Sequence, residues 1–282
     1  SVLGSNIGRS DAEHIHHVTN GWVMGIVMAA KPLLSAKRTI HSRDLISQKS
    51  ELFSTGRDSY ILSFFQDEIL TQVPAVLHEA FIKLSFIDEI SIDFAQELVE
   101  IDDLADHLES MADQNFFIYR LDERSRMFRF HHLFQEFLQS KGRQLLSKRE
   151  ISNIYGRAAD YYLEHNLVEK ALKALLNGED YETMEQVLKT EGLKLISANR
   201  TVTILAILQT IHEEILLEYG WLSFYKALLI TDFQPQTTLP YFQASRERFI
   251  ESGEEIGELM SLSQIIYFHF VISGTTMKAL NC

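Results

Sequence analysis

The sequence predicts a mainly α-helical chain in three parts: a small helical segment, a helical unit closed by a β-hairpin, and a series of helical pairs. Three observations carry that reading. Glycine and proline are sparse, 13 and 4 in 282 residues, so few positions interrupt a helix. Apolar residues recur at three- and four-residue spacing along most of the chain. In one stretch, Asn115–Phe130, the pattern shifts to short runs of β-forming side chains. With 46% apolar residues the chain can bury a core, and its length suggests two or three domains.

The first part spans residues 1–50. Ser10–Ala30 reads as two short helices around Asn20-Gly21, with Ser10 or Asp11 as a cap and Trp22–Ala30 as the second piece. Lys31-Pro32 interrupts it. Leu33–Gly56 is polar and reads as weak helix plus linker.

The second part spans residues 51–145. Tyr60–Leu70 carries a helical stripe. Pro74–Phe86 places Val76, Leu77, Ala80, Phe81 and Leu84 on one face, with Pro74 at the first turn. Ile92–Leu98 follows, capped by Ser91 or Asp93, and then Asp102–Ala112 with Leu104, Leu108 and Met111 on one side. Asn115–Leu121 and Met127–Phe130 read as two strands around the polar turn Asp122-Glu123-Arg124-Ser125. His131 leads into an amphipathic helix with Leu133, Phe134, Phe137 and Leu138. Helices followed by a two-stranded hairpin describe a winged-helix domain.

The third part spans residues 146–282. Ile151–His165, Leu167–Leu176, Tyr181–Leu195, Val202–Ile211, Leu217–Thr231, Thr237–Ser252 and Glu258–Ile272 alternate with turn signals. Gly178 is expected in the left-handed position with Asp180 as the next cap, and Gly253 closes another helix. Ala158, Ala171, Ala227 and Ala244 would let helices approach closely. A period near 34 residues, visible between Trp221 and Glu255, makes the region tetratricopeptide-like. The final helix lacks an obvious partner in sequence, so the array is expected to continue beyond Cys282. Tyr155, Tyr161, Tyr162 and Trp221 read as core aromatics or as a ligand groove.

The net charge is −13, which disfavours a duplex-DNA partner unless positive charge is gathered in one place. The charge is unevenly spread. Between Glu51 and Tyr119 only Arg57 and Lys83 oppose many carboxylates. Arg120, Arg124, Arg126, Arg129, Lys141, Arg143, Lys148, Arg149 and Arg157 make the following stretch basic. Two accounts fit: separate solvated faces, or an electrostatic contact within the chain or with a partner. The arginines of the hairpin could touch nucleic acid as a wing does, but the helices before it are acidic.

No chemistry-bearing motif completes itself. Gly4-Ser5-Asn6-Ile7-Gly8-Arg9-Ser10 lacks the spacing and the lysine of a phosphate loop. His14, His16 and His17 have no companion ligands at metal-binding spacing. His131-His132 has no serine or cysteine nucleophile motif beside it. Asp88-Glu89 and Asp102-Asp103 suit helix starts. Accordingly no catalytic residue and no metal ligand is assigned, and no enzymatic activity is expected of this chain. Cys282, the lone cysteine, fits a reducing, cytoplasmic setting. The longest apolar runs, Trp22–Ala30 and Ile265–Ile272, are too short to span a bilayer, so no membrane partner is expected. The start, Ser1-Val2-Leu3-Gly4, reads as a cut within a longer protein.

Several segments, in order, carry a resemblance: His17-Val18-Thr19-Asn20-Gly21-Trp22-Val23-Met24-Gly25-Ile26; Tyr60–Leu70; Asn115-Phe116-Phe117-Ile118 with Phe128-Arg129-Phe130-His131-His132-Leu133-Phe134-Gln135-Glu136-Phe137-Leu138; and Ala158-Ala159-Asp160-Tyr161-Tyr162 with Ala171-Leu172-Lys173-Ala174-Leu175. Together they resemble the MalT-like, LuxR-type ATP-dependent transcriptional regulators, signal-transduction ATPases with numerous domains. The resemblance implies a switch. An upstream nucleotide-binding domain, its helical subdomain ending in residues 1–50, would close with the winged helix over ADP. The helical repeats would sense a small-molecule inducer or a regulatory protein, and a downstream helix-turn-helix would bind DNA. It implies ATP or ADP with Mg in the full-length protein and no cofactor held by this chain alone. It also implies that His131 contacts the diphosphate and that Gly21 and Trp22 lie beside the adenine, although Val23 stands where the family's motif has proline. The alternative reading is a stand-alone helical-repeat adaptor that binds other proteins.

Overall fold

The computed structural model describes residues 65–114, 117–121 and 126–272. The chain divides into two compact units, Ser1–Leu145 and Leu146–Cys282.

In the first unit a π-turn, Phe65–Ile69, and a 3-10 turn, Leu70–Gln72, lead into α1, Ala75–Leu84. The described part of the expected Tyr60–Leu70 helix is thus these tight turns rather than a regular helix. Pro74 precedes α1, where its missing N–H is no loss. His78 Nε2 lies 2.9 Å from both the Leu70 and Val73 carbonyls. Both partners are acceptors, so this nitrogen carries the proton and ties the turn onto the helix.

A strand that periodicity alone did not reveal, β1 (Ile90–Ser91), precedes α2 (Ile92–Val99), which ends on Glu100 in the left-handed region at φ 54°. Next come α3 (Leu104–Asp113), β2 (Ile118–Arg120), β3 (Met127–Phe130) and α4 (His132–Leu145). The first hairpin strand is shorter than expected, and the turn 122–125 lies outside the described residues. The antiparallel sheet has the order β1-β3-β2, with Ile90 and Arg120 flanking Phe128 on either side. This order of elements is the winged-helix topology.

Strand β3 shows why the sheet can be amphipathic: Phe128 and Phe130 point inward and Arg129 outward. Helix α4 buries Leu133, Phe134, Phe137 and Leu138 on one face. Phe134 sits among Phe65, Phe81, Phe117 and Phe130 at ring-centroid distances of 5.5–6.5 Å. On the same helix, a Cβ at Gly142 would lie 2.8 Å from the Phe86 ring, so glycine sets that approach.

The second unit is helical: α5 (Lys148–Glu164), α6 (Val168–Asn177), α7 (Tyr181–Ser197), α8 (Thr201–Gln209), the short α9 (Glu213–Leu216), α10 (Gly220–Ile230), α11 (Leu239–Ser252) and α12 (Glu255–Tyr267). A final π-turn covers Phe268–Ile272. Helices α5, α7, α10 and α12 start at residues 148, 181, 220 and 255, intervals of 33, 39 and 35 residues, so the repeat is real. Helices pack on members one to three places away in the series: α5 on α6, α7 on α6 and α10, α8 on α6 and α10, α11 on α10 and α12.

Four local expectations are corrected. Gly178 is not left-handed (φ −83°); Glu179 is, at 56°. Gly178 serves instead as a close-packing residue, since a Cβ there would lie 3.0 Å from the Tyr155 Cβ. The helix expected over Leu217–Thr231 is α10, which starts three residues later at Gly220, and the short α9 before it, Glu213–Leu216, was not expected. Ala244 is only half-buried; the buried small residue on α11 is Ser245, 2.8 Å from Ser261 of α12. The last helix does have a partner on one side, because Gly257 and Ser261 face α11, with a Gly257 Cβ position 2.8 Å from the Phe249 ring. Asp180 caps α7 as expected, its carboxylate accepting from the Thr183 N–H at 3.0 Å. Ser147 and Glu150 form a reciprocal capping box on α5.

Candidate functional site

In DNA-binding helix-turn-helix domains the second helix of the pair enters the major groove. Here that position belongs to α3, which carries Asp106, Glu109 and Asp113 and neither lysine nor arginine. Two of the hairpin arginines, Arg120 and Arg129, do not offset this charge outward; they are drawn back onto the domain. Arg120 reaches α3, its Nε donating to Glu109 at 2.6 Å and an Nη to Asp113 at 2.7 Å. Its hydrogen bonds to Asp113 first, then to Glu109, hold its guanidinium above the ordinary value. Arg129 turns to the other edge of the sheet, donating to Glu89 at 2.8 Å and to the Asp88 carbonyl at 3.3 Å. Of the two accounts of the charge pattern, the structure gives the contact within the chain at these two positions. Such exposed pairs add little stability, but they cancel the charge a phosphate backbone would need.

His131 stands at the junction of β3 and α4, half-buried. Its backbone N–H donates to the Phe117 carbonyl at 2.7 Å, pinning the start of α4 to the strand side of the hairpin. Its ring lies edge-on to Phe117 and 4.6 Å, centroid to centroid, from His132. Burial first, then the neighbouring His132, lowers its pKa from 6.5 to about 4. The imidazole is therefore neutral near pH 7 and holds one N–H as a donor. Gly21 and Trp22 lie outside the described residues, as do His14, His16 and His17.

Two features escaped the sequence reading. On α4, Gln135 and Gln139 donate to the Ser85 carbonyl at 2.9 and 2.7 Å, closing the C-terminal end of α1. Their signal was there: two amides four apart, each beside a buried apolar residue. On α7, Glu185 accepts the Trp221 N–H at 2.8 Å and so caps α10 from another helix. Burial raises its carboxyl above the ordinary value, against the Trp221 and Gly220 amides, which lower it. Beside it opens a cavity of about 350 Å³ lined by Glu185, Glu218, Gly220, Arg248, Phe249, Glu251 and Ser252. Tyr155, Tyr162 and Trp221 are buried, so they are core rather than groove; only Tyr161, against the ring of His165, keeps partial exposure. Among the described residues no three metal-binding side chains converge, and no helix is long and apolar enough to cross a membrane.

The family model described as the MalT winged helix domain matches residues 66–150, the segment that holds α1 to α4 and this sheet. Residues 66–150 form a MalT-type winged helix. The similarity extends beyond it. The HTH-type transcriptional regulator MalT of Vibrio campbellii is 20% identical over 227 residues, 80% of this chain and 24% of that protein. MalT of Yersinia pestis is 24% identical over 187 residues, 66% of this chain and 20% of that protein. The serine/threonine-protein kinase PknK of Mycobacterium tuberculosis is 23% identical over 206 residues, 73% of this chain and 18% of that protein. The chain is thus MalT-like over most of its length and related to transcriptional regulators, and it spans about a quarter of the length of the MalT relatives it matches. In this MalT-like winged helix α3, at the position that reads DNA elsewhere, is acidic and is paired with Arg120.

Proposed function

We propose that this chain is the regulatory middle of an ATP-dependent, LuxR-type transcriptional regulator of the cytoplasm. It would couple nucleotide state and inducer or partner binding to a DNA-binding domain elsewhere in the full protein. The observation that carries this reading is the acidic α3 with Arg120 folded onto it: a winged helix built this way suits contact within a protein better than contact with DNA. The similarity to both a transcriptional regulator and a kinase supports it, since one switching module can serve different outputs. The residues between start and end of the chain hold no catalytic centre in this reading.

The nucleotide, ATP or ADP with Mg, would supply the charge that the closed state is built around. His131 fits one contact with it. A half-buried neutral imidazole can give an N–H to a phosphate oxygen without the cost of desolvating a cation. Gly21 and Trp22 would flank the base. The phosphates themselves need a glycine-rich cradle that this sequence does not contain, so the isolated chain holds nucleotide weakly at most. In the repeats, the cavity beside Glu185 suits a polar inducer by its three carboxylates and Arg248, and a regulatory protein is the other candidate.

The test is the nucleotide content of the intact regulator. The wild-type protein should purify with ADP, and His131→Ala should lose most of it and raise basal transcription, as expected if a ligand contact holds the resting state. Sequencing the coding DNA on both sides comes first. A frame confined to these residues would overturn the reading in favour of the adaptor, and retention of ADP by His131→Ala would remove the histidine from the switch.

A further inference from the structure

Five described residues other than glycine have a positive φ: Glu100, Phe117, Asn166, Glu179 and Asn199. Four of them stand at helix ends. Glu100 caps α2, and Asn166, Glu179 and Asn199 follow the last caps of α5, α6 and α7, where a left-handed residue helps to satisfy the free carbonyls. Phe117, at φ 57°, is the exception. Helix α3 is already capped at Gln114, and β2 begins at Ile118. A left-handed backbone is disfavoured for a bulky side chain and persists only where its surroundings hold it there.

What holds it is His131 and the aromatic cluster. The register of β2 on β3 pairs Ile118 with Phe130, so Phe117 stands opposite His131 as the next pair. Its carbonyl takes the His131 N–H at 2.7 Å. Its ring lies 5.2 Å from that of Phe65, 5.6 Å from that of Phe134 and 6.3 Å, edge-on, from the His131 imidazole. An extended Phe117 would continue β2. By the alternation of a strand its ring would then fall on the face of Tyr119, which is 42% exposed. The left-handed turn carries the ring inward instead. Strain at one backbone angle is exchanged for aromatic packing, and the two conformations of Phe117 differ in whether His131 is covered.

We propose that Phe117 is the positioning residue of His131: its left-handed backbone and its ring together hold the histidine at the junction of β3 and α4, and release of Phe117 to an extended conformation frees it. The proposal rests on the reading above for what the histidine contacts, but not for how it is held. In the held state the imidazole is shielded by the Phe117 ring on one side and lies against His132. That shielding agrees with its neutral form and with its single N–H being offered to a phosphate oxygen.

Nuclear magnetic resonance of the 282-residue chain reads both halves of the hold. With labelled histidines, and His131 assigned by the signal lost in His131→Gln, the parent imidazole should stay largely neutral from pH 7 down to pH 5, since its pKa is lowered to about 4. In Phe117→Ala it should titrate within that range, moving up by about one unit or more towards the ordinary value. Phe81→Leu loosens the same cluster through Phe130 and Phe134 and should leave the titration where it was, which separates positioning from stability. Hydrogen exchange at the His131 amide reads the backbone. It should be about 5- to 30-fold faster in Phe117→Ala than in Phe117→Gly, because glycine takes the left-handed conformation without strain. If Phe117→Ala does not fold, Phe117→Leu takes its place in both comparisons. A His131 that stays neutral down to pH 5 without the ring overturns the proposal. So does an equal shift in Phe81→Leu, or faster exchange in Phe117→Gly. The nucleotide is read separately, in the intact regulator. A freed His131 with ADP retained in both Phe117→Ala and His131→Ala would uphold the positioning and remove the nucleotide contact proposed above.

Discussion

The winged helix and the helical repeats keep their shape by different means. In the winged helix, side chains far apart in sequence close on one another: Arg129 on Glu89, Gln139 on Ser85, Lys141 on Gln66 across 75 positions. One aromatic cluster, centred on Phe134, touches the turn before α1, α1 itself, both sides of the hairpin and α4. In the repeats, contacts run mostly between helices one to three places apart in the series, and close approaches are set by small residues. A Cβ at Gly192 would fall 2.3 Å from the Tyr225 ring, and Phe249 lies between Gly220 and Gly257. The difference teaches where damage should spread. A single closed core fails as a whole, whereas a one-dimensional stack fails at the interface that is struck.

The largest effect expected is that of Phe134→Ala. It empties the centre of the aromatic cluster and should cost the winged helix about 3–5 kcal/mol. Hydrogen exchange should report lost protection across α1 to α4, with α5 to α11 little changed. Equal loss in both units would mean that they fold as one, and the comparison would break.

Next is Gly192→Val, which drives a side chain into Tyr225 and should cost about 1–3 kcal/mol. Protection should fall first in α7 and α10 and leave the winged helix intact. Adding Tyr225→Leu should recover a good part of it, a coupling that two unrelated defects would not show. Tyr225 is otherwise well suited to its place: burial pushes its phenol up to about 12, so it stays neutral throughout.

The smallest effect concerns pH. His131 has a folded pKa lowered from 6.5 to about 4. Between these values the unfolded chain binds more protons than the folded one, so stability rises with pH through this window and is lost as pH falls from about 6.5 towards 4. Partial exposure discounts the effect to on the order of 1 kcal/mol. Comparing the urea midpoint of the winged helix at pH 7 and pH 5 should show that loss, and His131→Gln should flatten it. An unchanged slope would show that the imidazole is not held neutral by burial.

These contrasts also mark how far the sequence could be read. The helices of the repeats were legible because their signals are local: a three- to four-residue period, Asp180 before α7, Gly253 at a left-handed end. The hairpin was legible from a change of period, and β3 in particular from Phe-Arg-Phe. Strand β1 was not, since two residues carry no period and pairing with β3, nearly 40 positions away, is what makes them a strand. Gly178 misled for a related reason. Glycine next to a helix end suggests backbone freedom, but here it is the missing side chain, against Tyr155, that matters.

At the candidate site the division is the same. The sequence by itself determined that this chain is helical and repetitive and that it carries a hairpin after acidic helices. Period, composition and charge are properties of neighbouring residues, and they survive without a fold. Only the tertiary structure decided that Arg120 and Arg129 are turned inward onto Glu109, Asp113 and Glu89, that His131 is neutral, and that Glu185 caps a helix not its own. Each of these depends on which distant groups the closed chain brings within a few ångströms, and on how much water it leaves between them.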